Sequence, residues 1–173
     1  MGDSQLNALK RALILGLGLA LIIVPLGGAA IGWYAKWREA PIGLKVNLSA
    51  LPSSERPHFL AAMNEWNASP VVELVEGNGG SKVKVKVDTM CASGCAVPNH
   101  ANGVLKGITL HFNPAIFSWG DQQWVYCHEL GHALGLGEGY PSSVTGDYGS
   151  CMAGEGLYPS QMDFDVLASM YGG

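Results

Sequence analysis

The sequence has little charge and no excess of basic residues. Only 14% of its 173 residues are charged, and ten Lys and Arg against fourteen Asp and Glu give a net charge of −4. Because nucleic-acid binding requires a clustered basic face, this balance argues against a nucleic-acid partner. The chain also shows no internal repeat and no pattern of a second domain, and its length suffices for one domain plus an appendage.

Charge is missing altogether from Ala12 to Ala35. As a helix this apolar run would reach roughly 36 Å, enough to cross a hydrocarbon core of about 30 Å. Aromatic residues follow it, as in an interfacial belt: Trp33, Tyr34 and Trp37. We therefore predict a transmembrane signal-anchor in residues 1–36, with membrane contact through residues 12–35, and an exported domain in residues 37–173.

The run contains no clean A-x-A cleavage site, although Gly28-Ala29-Ala30 offers small residues. A domain secreted after signal-peptide cleavage is therefore the alternative localisation. The four cysteines fit export in either case, because an even number in a small domain is typical of disulfides formed in an oxidising compartment. Cys91 and Cys95 could close a small loop. The cysteines lack two short C-x₂₋₄-C pairs, which argues against a structural Cys₄ zinc site.

Residues 127–138 carry the strongest chemical signal, Cys-His-Glu-Leu-Gly-His-Ala-Leu-Gly-Leu-Gly-Glu. His128 and His132 are four apart, so a helix presents both imidazoles on one face, where they can bind one zinc ion. Glu129 lies beside the first histidine, where its carboxylate can take a proton from a zinc-bound water without binding the metal. This pattern predicts a catalytic zinc site on a helix.

A catalytic zinc ion needs a third protein ligand and an open position. Gly135 and Gly137 allow the chain to leave the helix and turn back. Glu138 is the first residue past that turn able to coordinate metal, and we predict it as the third ligand. Asp147 is the alternative.

Downstream, Ser150-Cys151-Met152-Ala153-Gly154 looks like a Met-turn, the tight turn that places a methionine beneath the metal. With the HExxH motif it makes the chain resemble the metzincin metalloproteases, and among them the snapalysins, which are small secreted neutral proteases. The resemblance runs from about Lys45 to Tyr171 and includes Tyr140 past the third ligand. Metzincins usually have His at the third-ligand position and snapalysins have Asp, whereas this chain has Glu138.

The resemblance implies a compact zincin domain with one zinc ion, Glu129 as the catalytic base and Met152 packed under the site. It also implies that the segments of Cys127 and Cys151 approach each other beneath the metal, where a disulfide is reasonable. Tyr140 and Tyr158 are candidates to bond the oxyanion. Many metzincins bind calcium, but no ligand spacing supports such a site among the available oxygen donors, Asp88, Asn99 and Asn102.

Periodicity predicts an α+β fold, a small twisted mixed sheet with an active-site helix and a C-terminal helix. The expected strands are Gly43–Leu48, Val71–Val75, Lys82–Val87 and Gly107–Asn113. Ser53 or Ser54 should cap a helix that ends near Asn67, and Ser160 should begin the terminal helix with a capping box. We expect a loop from Asp88 to Asn102. By the resemblance, Gly107–Asn113 is the edge strand along which a peptide lies, with His111 on the rim of the cleft.

These observations predict a zinc metalloendopeptidase that cleaves a peptide or protein substrate. Two alternatives stay open. The chain could be a membrane-tethered binding or scaffold protein with the same fold and little or no turnover, because Glu138 is unusual and no propeptide is evident. It could also be an amidase acting on cell-wall peptides, which shares the zinc chemistry.

Overall fold

The computed structural model describes residues 35–120, 122–137, 149–153 and 156–172. The predicted anchor, apart from Ala35 and Lys36, lies outside these residues, as do the predicted ligand Glu138 and its alternative Asp147. Within the described ranges, no helix is long and apolar enough to cross a membrane.

In this part of the chain, one mixed sheet contains the strands β1 (Ile42–Asn47), β2 (Val72–Glu76), β3 (Val83–Val87), β4 (Gly94–Ala101) and β5 (Val104–Phe112). The strand order is β2-β1-β3-β5-β4. Neighbours are parallel except at one edge, where β4 runs antiparallel to β5. The α+β class and the mixed sheet predicted from the sequence are confirmed.

The helices are α1 (Arg56–Trp66), α2 (Gln122–Ala133) and α3 (Gln161–Tyr171), and 3₁₀ turns cover Pro114–Ser118 and Cys151–Ala153. An aromatic cluster joins α1 and α2 to β5, with ring centroids 5.0–5.9 Å apart: Phe59, Phe112 and Tyr126. The hydroxyl of Tyr126 donates to Glu55 at 2.8 Å. Burial, with this bond adding to it, raises the pKa of Tyr126 well above its ordinary value, so that the hydroxyl stays neutral in the core.

Most local predictions agree with the structure. In β3, Val83 and Val85 are buried, Val87 is half-buried and the two lysines are exposed, as alternation requires. The capping box of α3 is present between Ser160 and Asp163. The predicted cap of α1 was wrong, because its N-cap is Glu55 and no side chain caps the helix there.

The expected loop from Asp88 to Asn102 was also wrong, because it contains β4. As a consequence β5, which includes most of Gly107–Asn113, is an inner strand between β3 and β4. The edge of the sheet nearest α2, the helix of the predicted metal ligands (the metal helix), is β4. Its sequence includes a glycine, a proline and an asparagine, which are depleted in strands, so the periodicity of the sequence did not predict β4.

Trp37 belongs to the core and not to an interfacial belt, since only 2% of it is exposed. Its Nε1 donates to the carbonyl of Ala133 at 2.8 Å, and the Tyr171 hydroxyl donates to the carbonyl of Leu134 at 2.9 Å. Lys36, the preceding residue, forms a bridge with Val104 at the start of β5. The first described residues and the C-terminal helix thus satisfy carbonyls at the C-terminal end of α2 that would otherwise lack partners.

Candidate metal centre and cleft

Helix α2 presents His128 and His132 on one face, one turn apart. The ring centroids lie 4.5 Å apart and the two Nε2 atoms 3.0 Å apart. Two nitrogen ligands of one zinc ion, each about 2.0–2.1 Å from the metal, necessarily lie within about 4 Å of each other. The predicted pair therefore converges on one point.

The other nitrogen of each ring faces a backbone carbonyl. Nδ1 of His128 lies 2.9 Å from the oxygen of Cys151, and Nδ1 of His132 lies 2.8 Å from the oxygen of Leu136. A carbonyl only accepts, so each Nδ1 carries a proton, and in the neutral ring each Nε2 then carries a lone pair. Two Nε2 atoms at 3.0 Å need a cation between them, either a proton that the rings share or a metal ion that both bind. The donor set therefore fits a divalent metal ion such as zinc, with the carbonyls as the orienting partners that metal-binding histidines usually have.

The carbonyl that holds His132 is placed by the turn that ends α2. Gly135 has φ +101°, a conformation that other residues rarely adopt. The Leu136 N–H donates back to the Gly131 carbonyl at 3.0 Å, which closes a Schellman-type turn. The predicted helix break at Gly135 is present, and it turns the Leu136 carbonyl onto the His132 ring.

Met152 lies against the backbone of α2 between the two histidines. A Cβ atom on Gly131 would overlap Sδ of Met152 and would lie 2.9 Å from Cζ2 of Trp66. Only a residue without a side chain allows this approach, so Gly131 is needed for Met152 to pack here. Met152 is 4% exposed, which agrees with the role that the resemblance implies for it.

Both cysteine pairs considered from the sequence form disulfides. Cys127 is bonded to Cys151, with Cα atoms 6.0 Å apart, and Cys91 is bonded to Cys95. The first bridge is fully buried at the metal helix, and the second is partly exposed at the start of β4. The cysteines of the described residues leave no free thiol.

The turn that carries Met152 is tied to the C-terminal helix. The Ser150 hydroxyl donates to Oδ2 of Asp163 at 2.6 Å and accepts from the Met152 N–H at 2.9 Å. The same carboxylate oxygen accepts from the Ser160 N–H at 2.7 Å, completing the capping box. One buried carboxylate therefore fixes both the start of α3 and the turn beneath the metal site.

Glu129 lies on the side of α2 that faces β4 and is 5% exposed. A Cβ on Gly94 would lie 2.9 Å from Cγ of Glu129. A cleft of about 180 Å³ opens between the start of β4 and α2, and it is lined by Ser93, Gly94, Trp124, Val125, His128 and Glu129. The predicted base and one predicted ligand therefore share a cavity large enough for a small group.

The sequence did not single out Ser93, Gly94 or Trp124 as site residues. A signal that could have located β4 is Asn102-Gly103, because an Asn-Gly pair is the strongest short-range hairpin signal. Both residues have positive φ, 53° and 72°, and they connect the paired residues Ala101 and Val104. That hairpin would have placed β4 beside β5, although the register shift between Asn99 and His100, which pairs Gly94 with Phe112, has no such signal.

His111 does not line the cleft. It is 7% exposed and lies on the sheet face opposite α2, with Nδ1 2.8 Å from Oδ2 of Asp88. The hydrogen bond from His111, with a second from the Met90 N–H, lowers the pKa of Asp88 below its ordinary value. Asp88, one of the oxygens considered for calcium, is therefore engaged by groups of the protein.

The predicted third ligand Glu138 and its alternative Asp147 lie beyond the described residues, as does Tyr140. In the described ranges, no group of three or more His, Cys, Asp and Glu side chains converges on one point.

The chain re-enters the described part at Gly149, and Tyr158 is 48% exposed. The Tyr158 carbonyl accepts from the Cys151 N–H at 2.8 Å, so its backbone is next to the metal site.

The sequence matches no protein-family model, and no curated protein sequence matches it. The fold is similar to that of a solved structure, high choriolytic enzyme 1, a hatching-enzyme zinc protease from the medaka fish Oryzias latipes. The TM-score is 0.53 with 16% sequence identity, covering 80% of this chain and 94% of that chain. This likeness concerns the fold. It supports the metzincin-like architecture expected from the sequence, and it does not distinguish the snapalysins from other metzincins.

Proposed function

We propose that this chain is a zinc-dependent metalloendopeptidase that hydrolyses peptide bonds outside the cytoplasm. The observation that carries the proposal is the convergence of Nε2 of His128 and Nε2 of His132, 3.0 Å apart, beside a cleft that His128 and Glu129 line. The similarity of the fold to that of a zinc protease adds support. Neither a packing role nor a solvated helix face requires two imidazoles to direct lone pairs at one point.

His128 and His132 would hold the ion, and Glu138 would complete the protein ligands. Glu138 follows two residues after Leu136, whose carbonyl contacts the His132 ring, which supports its choice over Asp147. Bound there, zinc would polarise the scissile carbonyl and lower the pKa of the attacking water toward about 7.

Glu129 would act as the general base. Its carboxylate accepts the proton of the attacking water and then delivers it to the nitrogen of the leaving amine. Burial between Gly94 and α2 limits the positions that its carboxylate can take, which keeps the oxygen near the cleft. Tyr140 and Tyr158 remain the proposed donors to the oxyanion.

The substrate backbone would add to the free edge of β4. The Ile108 N–H donates to Lys82 on the β3 side, so Pro98, opposite Ile108, directs its backbone away from the sheet. By the same alternation, Gly94 and Ala96 also present their backbone groups to the free edge. A peptide can therefore form ladder bonds beginning at Gly94, next to Glu129.

The proposal also includes what the sequence predicts about localisation, family and substrate. The domain of residues 37–173 would be exported and held at a membrane by residues 12–35, or secreted after cleavage of that segment. Within the metzincins, the carboxylate third ligand favours a relationship to the snapalysins. A peptide or protein would be the substrate.

The decisive experiment compares the full chain with Glu129→Gln and with the exposed control Glu65→Gln. Zinc content is measured by atomic absorption, and cleavage of casein and of a fluorogenic peptide is followed with and without a chelator. We expect the wild type and Glu65→Gln to bind about one zinc and cleave, and Glu129→Gln to keep zinc but lose at least about 10²-fold in rate. Cleavage by Glu129→Gln at the wild-type rate would refute the role of Glu129.

Zinc uptake without any cleavage would instead favour the scaffold alternative. Cleavage of cell-wall peptides alone would favour the amidase. Absence of zinc from the folded wild type would overturn the proposal itself.

A further inference from the structure

The Cys127–Cys151 disulfide lies beside His128, a proposed metal ligand. Cys127 directly precedes His128 in the chain, and its sulfur is bonded to Cys151. The carbonyl of Cys151 in turn accepts from Nδ1 of His128 at 2.9 Å. The backbone from His128 to Cys127, the disulfide, and Cys151 therefore form a ring, which the hydrogen bond from Nδ1 of His128 to the Cys151 carbonyl closes.

Cys151 is also held from its other sides. Its N–H donates to the Tyr158 carbonyl at 2.8 Å, and its carbonyl accepts a second hydrogen bond, from Nε1 of Trp124 at 3.2 Å. Both cysteines are completely buried. The carbonyl oxygen that contacts His128 thus has little freedom to move while the disulfide is intact.

We propose that the Cys127–Cys151 disulfide is a positioning device for the metal ligand His128. By fixing the Cys151 carbonyl, it keeps the proton of His128 on Nδ1 and the lone pair of Nε2 directed at the ion. Loss of a partner that orients a ligand typically lowers metal affinity about 10- to 100-fold, and we expect a loss in this range when the disulfide is removed. The inference rests on the proposed function only in taking the ion to be zinc.

The second disulfide supplies a matched control within the same chain. Cys91 and Cys95 are partly exposed and stand at the other wall of the cleft, on β4 and the residues before it. Among the described residues, the carbonyls that bond to the rings of His128 and His132 are those of Cys151 and Leu136, and neither belongs to this pair. Its removal should therefore leave the zinc affinity of the site unchanged.

The test uses the full chain and two double variants, Cys127→Ala/Cys151→Ala and Cys91→Ala/Cys95→Ala. Zinc affinity is measured by competition with a chromophoric chelator. The temperature is kept well below the Tm of each protein, so that nearly all molecules are folded. The tautomer of His128 is read in the metal-free protein from the ¹⁵N shifts of its ring nitrogens. The Co²⁺ absorption spectrum reports the symmetry of the loaded site.

We expect the Cys127–Cys151 variant alone to lose about 10- to 100-fold in zinc affinity. Its His128 signals should move from protonated Nδ1 toward a mixture of tautomers, and its Co²⁺ bands should shift. A merely structural bridge would lower the Tm and leave the ¹⁵N shifts unchanged, which would overturn the proposal. Equal losses of affinity in both variants would overturn it too.

The two proposals can fail separately. If the wild type binds no zinc, the proposed function fails, whereas the tautomer of His128 in the metal-free protein still decides whether the disulfide positions the ring. If all three proteins bind zinc equally and retain protonated Nδ1, the positioning role fails and the peptidase proposal stands.

Discussion

Gly94 lies directly against Glu129 across the gap between β4 and α2. A Cβ atom on Gly94 would lie 2.9 Å from Cγ of Glu129 and 3.0 Å from its Oε1, and 2.9 Å from Cγ1 of Val125. The proposed base therefore occupies its position only because the neighbouring edge strand has no side chain there. This contact joins the catalytic helix to the strand along which we propose that the substrate lies.

Gly94→Ala should displace the Glu129 carboxylate while leaving the two histidines in place. Misplacing a catalytic group by about 1 Å can cost as much as 10²-fold in rate, so we expect kcat to fall by about 10- to 100-fold at unchanged zinc affinity. Steady-state kinetics and chelator competition measure the two quantities. Gly79→Ala, where a Cβ meets nothing within 4 Å, is the control, and a wild-type kcat in Gly94→Ala would contradict the assignment.

Gly131→Ala should destabilise the fold although alanine favours helix by about 1 kcal/mol. The added methyl would overlap Met152, which can move, and would press on Trp66, which is fully buried. Overpacking of this kind costs about 1–3 kcal/mol in the free energy of unfolding, measurable by urea denaturation. Gly43→Ala, with one ordinary contact at 3.9 Å, should change stability far less, and a stabilised Gly131→Ala would show that the packing under the site is looser than described.

Tyr171→Phe should remove the hydroxyl that donates to the Leu134 carbonyl at the end of α2. The loss of this hydrogen bond should cost about 0.5–1.5 kcal/mol at neutral pH. Burial raises the pKa of Tyr171 from 10.0 to about 12. The protonated hydroxyl therefore stabilises the fold fully below pH 10, and this contribution is lost as the pH rises from 10 through 12.

Thermal unfolding between pH 7 and 12 tests this prediction. Wild type should lose Tm more steeply above pH 10 than Tyr171→Phe does, so that the difference between the two proteins narrows. Tyr158→Phe is the control, because its side chain is 48% exposed. A constant difference across the whole range would show that Tyr171 does not titrate as its burial requires.

Pro98 should limit the length of the substrate ladder. Proline has no N–H, so at this outward-facing position β4 can accept a hydrogen bond but cannot donate one. Extending a peptide past the residue that pairs with Ala96 should add little to kcat/KM in the wild type. In Pro98→Ala the restored N–H should raise kcat/KM for the longer peptides by about two- to tenfold, the value of one hydrogen bond.

Peptides of stepwise increasing length, assayed on both proteins, provide the measurement. The shortest cleaved peptide serves as the control, because it should react equally with wild type and Pro98→Ala. An equal gain with length in both proteins would mean that substrates do not pair with this edge.

Features set within one or two turns of chain were readable from the sequence. The spacing of His128 and His132 places them on one face of any helix, and Ser160 with Asp163 forms a capping box regardless of what surrounds it. The strict alternation of valine and lysine in β3 likewise predicts a strand with one buried and one exposed face. In each case the determining residues are close in sequence, and the structure agrees with the prediction.

The features that were not predicted from the sequence depend on pairing and packing that the local pattern of residues does not specify. β4 exists because it pairs with β5 through the Asn102-Gly103 turn, and its own glycine, proline and asparagine have low strand propensity. The orientation of the His128 ring depends on a carbonyl 23 residues away. Trp37 could not be assigned from its neighbours, since an aromatic residue after an apolar run suits a membrane interface and a protein core equally well.

The hydrogen bond from Trp37 to Ala133 restricts how the domain could be detached from the segment before it. A cut between Lys36 and Trp37 would remove the bridge of Lys36 to Val104, and a cut between Trp37 and Arg38 would also remove the indole that bonds to the end of α2. If the predicted N-terminal segment is removed by cleavage, a cut that preserves the end of α2 must therefore lie before Lys36, and a product that starts later in the chain should unfold at a lower temperature.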